Sequence, residues 1–141
     1  MSTDEYRLPG WESRLAALIE TARSEPYELG RHDCFRLACA SIEALTGIDH
    51  WPRWAGRYGT RRDALKLIAE FHREGFTAAA SKLFGREPVA PLLARRGDIV
   101  ELVQAGEQHL GVAVGAEAAV LGEAGLAFIP LSDCAHCWRI G

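Results

Sequence analysis

The sequence predicts an α+β domain in which helices come first and an antiparallel sheet follows. Up to about Phe84, apolar residues recur at three- and four-residue spacing, the period of helices with one buried face. From Gly97 onward the pattern changes to short apolar runs separated by glycine turns, the pattern of a strand meander. The helical and strand patterns do not alternate, so segregated layers are expected rather than crossover units. The chain has 141 residues, 48% of them hydrophobic and 25% charged. That suits one domain able to bury a core without disulfide staples.

Pro9-Gly10 ends an N-terminal arm over residues 1–10, and the helical half spans 11–85. Leu15, Leu18, Ile19 and Ala22 predict a helix from Trp11 to about Ser24, stopped by Glu25-Pro26. A second helix is expected over about 33–46, with Asp33 as N-cap and Gly47 closing it. Its buried face is Cys34, Ala38, Ser41/Ile42 and Leu45. A loop with Trp51, Trp54 and Tyr58 leads to Thr60, which with Asp63 forms a weak capping box for a third helix. A shorter helix covers Thr77 to Phe84. The sheet half spans 97–141, with strands expected at 99–103, 109–114, 119–121, 126–129 and 137–140.

The net charge of −3 provides no basic face for nucleic acid. No apolar run approaches membrane-spanning length, and the polar start Met1-Ser2-Thr3-Asp4-Glu5 does not resemble an export signal. Cytoplasmic synthesis and reduced thiols are therefore expected for Cys34, Cys39, Cys134 and Cys137. Cys134-Ala135-His136-Cys137 has the look of half a metal site, but His32, His50 and His72 form no matching pair, so no metal is assigned.

Two stretches could carry chemistry. In Arg31-His32-Asp33-Cys34-Phe35 a cysteine sits at a helix start, where free N–H groups and the helix dipole favour a thiolate. The same N–H groups can serve the oxyanion of a tetrahedral intermediate. In Gln108-His109-Leu110-Gly111-Val112 a histidine opens a strand. An imidazole near the thiol would complete its activation. Strand alternation places His109, Gly111 and Ala113 on one face. Their small size suggests that the cysteine helix lies against that face, leaving Leu110, Val112 and Val114 to an ordinary core.

Three motifs in order, Asp33-Cys34 leading a helix, then Arg96-Gly97-Asp98-Ile99-Val100, then His109-Leu110-Gly111-Val112-Ala113-Val114-Gly115, resemble the NlpC-type papain-like cell-wall peptidases. Pro26-Tyr27 also resembles the pair that precedes the nucleophile there, and the likeness runs from about residue 11 to 122. It implies a papain-like fold and hydrolysis of peptidoglycan stem-peptide bonds without a cofactor. In that scheme Cys34 is the nucleophile, its N–H serves the oxyanion, and His109 is the general base and acid. Tyr27, Asp33 and Trp54 become substrate-binding candidates. The sequence departs from the family at Phe35-Arg36, where Ser-Gly is usual, and at Leu121, where a third polar residue normally orients the imidazole. Glu123 is the candidate replacement, with Gln108 or a backbone carbonyl as alternatives. Compact relatives of this kind occur among tailed-phage tail proteins, which implies carriage in a virion or phage-like tail particle and contact with tail-tip proteins. The alternative implied is a weak or inactive copy with a structural role in a tail tip.

Overall fold

The computed structural model describes residues 6–141, so Met1–Glu5 and their part of the arm lie outside the described residues. The fold is α+β: four helices in the N-terminal part pack on a five-stranded antiparallel sheet formed by the C-terminal part.

Helix α1 spans Trp11–Ser24 and buries Leu15, Ile19 and Ala22 at helical spacing. Helix α2 spans Cys34–Thr46. Its N-cap is Asp33, whose carboxylate accepts the Arg36 N–H, and Gly47 closes it with φ +80°. Between α2 and α3 a 3₁₀ turn at Trp51–Arg53 interrupts the aromatic loop. Helix α3 spans Arg61–Phe71, capped by the Thr60 hydroxyl. Helix α4 spans Phe76–Phe84 and ends at Gly85, φ +70°.

Strands β1 (Ile99–Gln104), β2 (Glu107–Ala113), β3 (Glu117–Gly122), β4 (Gly125–Pro130) and β5 (His136–Trp138) lie in the order β4-β3-β2-β1-β5. The last strand is shorter than the sequence suggests. Ile140 leaves the sheet because its N–H donates instead to the buried Asp98 carboxylate at 2.9 Å. That carboxylate also receives Arg7 at 3.0 Å and the Arg95 N–H at 2.7 Å, so one buried acid joins the N-terminal arm, the start of β1 and the chain's last residues.

Two cores flank the sheet. Ile99, Leu110, Val112, Leu121 and Trp138 meet α1 and α2 through Leu15, Leu37, Ala38 and Ile42. On the other face Val100, Leu102, Ala113, Val120 and Cys137 pack under Leu131. Register places His109 opposite Leu102, so the pleat gives His109 the second face, with Gly111 and Ala113. The helices therefore cover the opposite face from the one suggested by the small residues. Leu110 and Val112 offer more apolar area to a helix. The room at Gly111 is used by β3 instead: a Cβ there would lie 3.0 Å from the Val120 side chain and 3.2 Å from the Ala119 carbonyl oxygen.

Candidate active site

The site begins with the loop that delivers Cys34. Glu28 and His32 form an isolated bridge that folds residues 28–32 into a tight turn. Gly30 sits in it with φ +88°, and a Cβ there would lie 2.2 Å from the Tyr58 carbonyl oxygen, so only glycine fits. Asp33 follows, 2% exposed. Its carboxylate accepts the Gly30 N–H at 2.8 Å, the Arg36 N–H at 2.8 Å and the Tyr58 hydroxyl at 2.6 Å. The N-cap, the preceding turn and the aromatic loop are thus fixed by one side chain. Burial, then the Asp33 charge, push the Tyr58 phenol well above its ordinary range, so it stays a donor.

Cys34 is the first residue of α2 and is half-buried. Burial is the largest influence on its thiol and pushes it up to about 11. The N–H of Leu110 opposes that rise, the Asp33 carboxylate adds to it, and the N–H groups of Cys34 and Phe35 oppose it. The influences that favour the thiolate thus come from backbone N–H groups of a helix start and of a strand.

The Leu110 N–H is available because the ladder opens there. Leu110 lies opposite Glu101, whose carbonyl accepts from Ala135 on the β5 side, so the Leu110 N–H points away from β1 toward β3. The β2–β3 pairing registers only Val112↔Ala119 and Ala113↔Ala118. Helix α2 thus meets β2 where β3 has stopped pairing with it.

His109 is half-buried, one residue from Leu110 on β2. No hydrogen bond joins it to Cys34 among the described residues. The chain brings the thiol to the histidine-bearing segment without closing a thiol–imidazole contact. Leu121, where a third polar residue was expected, is 1% exposed in the helix-side core. Glu123 is exposed in the β3–β4 turn. Its charge, with those of Asp33, Cys34 and Glu107, raises the Tyr27 phenol, although burial is the larger cause. Tyr27 therefore shares the neighbourhood of Cys34 and packs on the helix-side core. Trp54 is 6% exposed and packs edge-on against Phe35 and Phe71, in the wall behind the site. Trp51 and Tyr58 instead line an open groove of about 560 Å³ with Glu28, Gly30 and Gly59.

Among the described residues no group of three or more His, Cys, Asp or Glu could hold a metal ion. Within Cys134-Ala135-His136-Cys137, strand alternation separates the ligands. Cys137 belongs to the second core, while His136 turns to the other face and reaches Glu101 at 3.3 Å.

Sequence reasoning did not single out Glu101. It is 3% exposed in β1 and accepts from Thr77 Oγ1 at 2.7 Å and Gln108 Nε2 at 2.9 Å. The available signal was a lone acid at a core-facing position of Ile99-Val100-Glu101-Leu102-Val103. The Leu110 donor left no signal, since a backbone N–H carries no residue identity.

Fold and site together define an α+β protein with a cysteine at a helix start, set against an open sheet ladder beside a histidine. The chain belongs to the family described as Domain of unknown function (DUF6950), which matches residues 6–140. No curated protein and no solved structure matches it. No helix among the described residues is long and apolar enough to cross a membrane.

Proposed function

We propose that this chain is a papain-like cysteine amidase or endopeptidase acting on peptidoglycan stem peptides, carried in a phage or phage-like tail particle. The observation that carries the chemical part is the placement of Cys34 as first residue of α2, beside the segment of β2 that carries Leu110 and His109. The wall substrate and the particle rest on the resemblance to NlpC-type peptidases.

In this reading the thiol, pushed up to about 11, is protonated at neutral pH. Attack then requires proton removal as the S–C bond forms, which is general-base work for a neutral imidazole rather than a resting ion pair. His109 takes the proton and returns it to the leaving amine. The N–H groups that face the sulfur also lie beside the position where the carbonyl oxygen becomes an oxyanion. Because His109 sits on the sheet face opposite the helices, its imidazole has to swing past the unpaired edge of β2 to come into hydrogen-bond reach of Cys34, as catalytic contacts often tighten only in the complex. The groove lined by Gly30, Arg31, Trp51 and Tyr58 lies along the turn that leads into Cys34. Trp54 contributes by supporting that wall.

The test is release of stem-peptide fragments from purified peptidoglycan, read by mass spectrometry. Cys34→Ala and His109→Ala are each expected to reduce release by about 10³-fold or more with folding unchanged. Full release by Cys34→Ala overturns the assignment.

Leu121 favours a second reading. A core leucine holds the place of the orienting residue, and without that residue the same shape can serve as an inactive structural component of a tail tip. That reading expects a stable complex with purified tail-tip proteins and no fragment release from the native chain.

A further inference from the structure

The segment of β2 that carries His109 and the Leu110 N–H is held unusually. On one side β1 pairs with it throughout, from Gln104↔Glu107 to Ile99↔Val112. On the other side β3 pairs only with Val112 and Ala113, leaving residues 107–111 outside that ladder. An edge segment of this kind would ordinarily be among the looser parts of a sheet. Here two side-chain ties replace the missing strand. Glu107 pairs with Arg61 at the start of α3, at 2.8 Å. Gln108 donates to Glu101 at 2.9 Å, and Glu101 in turn receives the Thr77 hydroxyl of α4 at 2.7 Å, with His136 Nδ1 of β5 3.3 Å away.

Glu101 is a costly residue to bury without partners. Each of its carboxylate oxygens accepts one hydrogen bond, one from α4 and one from β2, with His136 of β5 close to the first. Gln108 is itself exposed apart from this bond. The bond fixes the residue immediately before His109, and so sets where the imidazole and the Leu110 N–H lie relative to Cys34.

We propose that Glu101 is a positioning residue of the site, acting through Gln108 on the His109–Leu110 segment. The proposal rests on the reading of Cys34 and His109 given above. Gln108→Leu removes the tie at an exposed position and leaves the core intact. Glu101→Gln keeps a neutral acceptor for Gln108 and is the conservative rescue, whereas Glu101→Leu removes the acceptor.

Two readouts apply to the full chain: residue-resolved hydrogen exchange, and the pH profile of Cys34 alkylation by iodoacetamide. Gln108→Leu and Glu101→Leu are expected to raise exchange at Leu110 about tenfold or more while Val112, still paired to β3, is unchanged. Alkylation at fixed pH should slow about threefold, because the thiolate loses its strand N–H donor. Glu101→Gln should restore most of both. Unchanged Leu110 exchange and alkylation in Gln108→Leu overturns the proposal. So does a uniform rise in exchange across the sheet, which would mark Glu101 as a general staple. Absence of wall hydrolysis by the native chain would bear on the function of Cys34 alone, since neither readout requires turnover.

Discussion

Asp33 touches more of the site than any other side chain, and its contribution has two opposed parts. As N-cap and acceptor of three donors it holds the loop, the helix start and Tyr58 together. As a buried negative charge it raises the adjacent thiol. Asp33→Asn separates the two: it keeps a capping oxygen and removes the charge. It should cost about 1 kcal/mol in chemical denaturation and speed Cys34 alkylation at a fixed pH near 8, because the charge opposing thiolate formation is gone. Slower alkylation in a folded Asp33→Asn chain would contradict the sign. Tyr58→Phe should cost about 1 to 2 kcal/mol, since Asp33 keeps its two backbone donors. The cap and the helix-start cysteine were legible from residue types and spacing. The Tyr58 bond was not, because 25 residues separate the partners and nothing local distinguishes Tyr58 from its aromatic neighbours.

At the scale of elements, the site depends on two backbone placements. The turn at residues 28–32 approaches the 58–59 loop so closely that Gly30→Ala sets a Cβ against the Tyr58 carbonyl and strains a φ of +88°. That substitution should destabilise the chain by about 2 to 3 kcal/mol and mobilise the start of α2, measurable as faster exchange at Arg36. Helix and strand boundaries were largely legible because capping and turn chemistry are local: Asp33, Gly47, Thr60 and Gly85 mark ends within a residue or two of where they fall. Which face of β2 the helices cover was not. Small residues on a strand can admit a helix or a neighbouring strand equally well, and the choice is made by the larger apolar area of Leu110 and Val112.

At the scale of the whole molecule, Asp98 closes the chain on itself through Arg7, Arg95 and the Ile140 N–H. Arg7→Ala leaves that buried carboxylate only the longer Arg95 pair at 3.6 Å and should cost about 3 kcal/mol, read as a lowered urea midpoint with unchanged m-value. The cysteines set an alkaline limit. Burial pushes Cys34 up to about 11 and Cys39 and Cys137 up to about 12, against an ordinary value of 9. Folded-state values above unfolded ones mean that the folded chain keeps protons that the unfolded chain gives up. This stability is fully present below pH about 9 and is lost as pH rises toward 11 and 12. The melting temperature should fall across that window, and Cys39→Ala should flatten the fall even if its overall stability is lower.

The sequence by itself determined the fold class, the order of the elements and the position of Cys34 at a helix start, because periodicity, caps and glycine turns act over a few residues. It also placed His109 on a strand, which begins two residues earlier, at Glu107, than the sequence suggests. Only the tertiary structure decided that β3 stops pairing where α2 arrives, that a leucine N–H faces the thiol, and that the buried Glu101 ties that strand segment to α4. Those outcomes depend on which surfaces win contact between elements far apart in the chain, a competition of areas and donors that no single stretch of sequence contains.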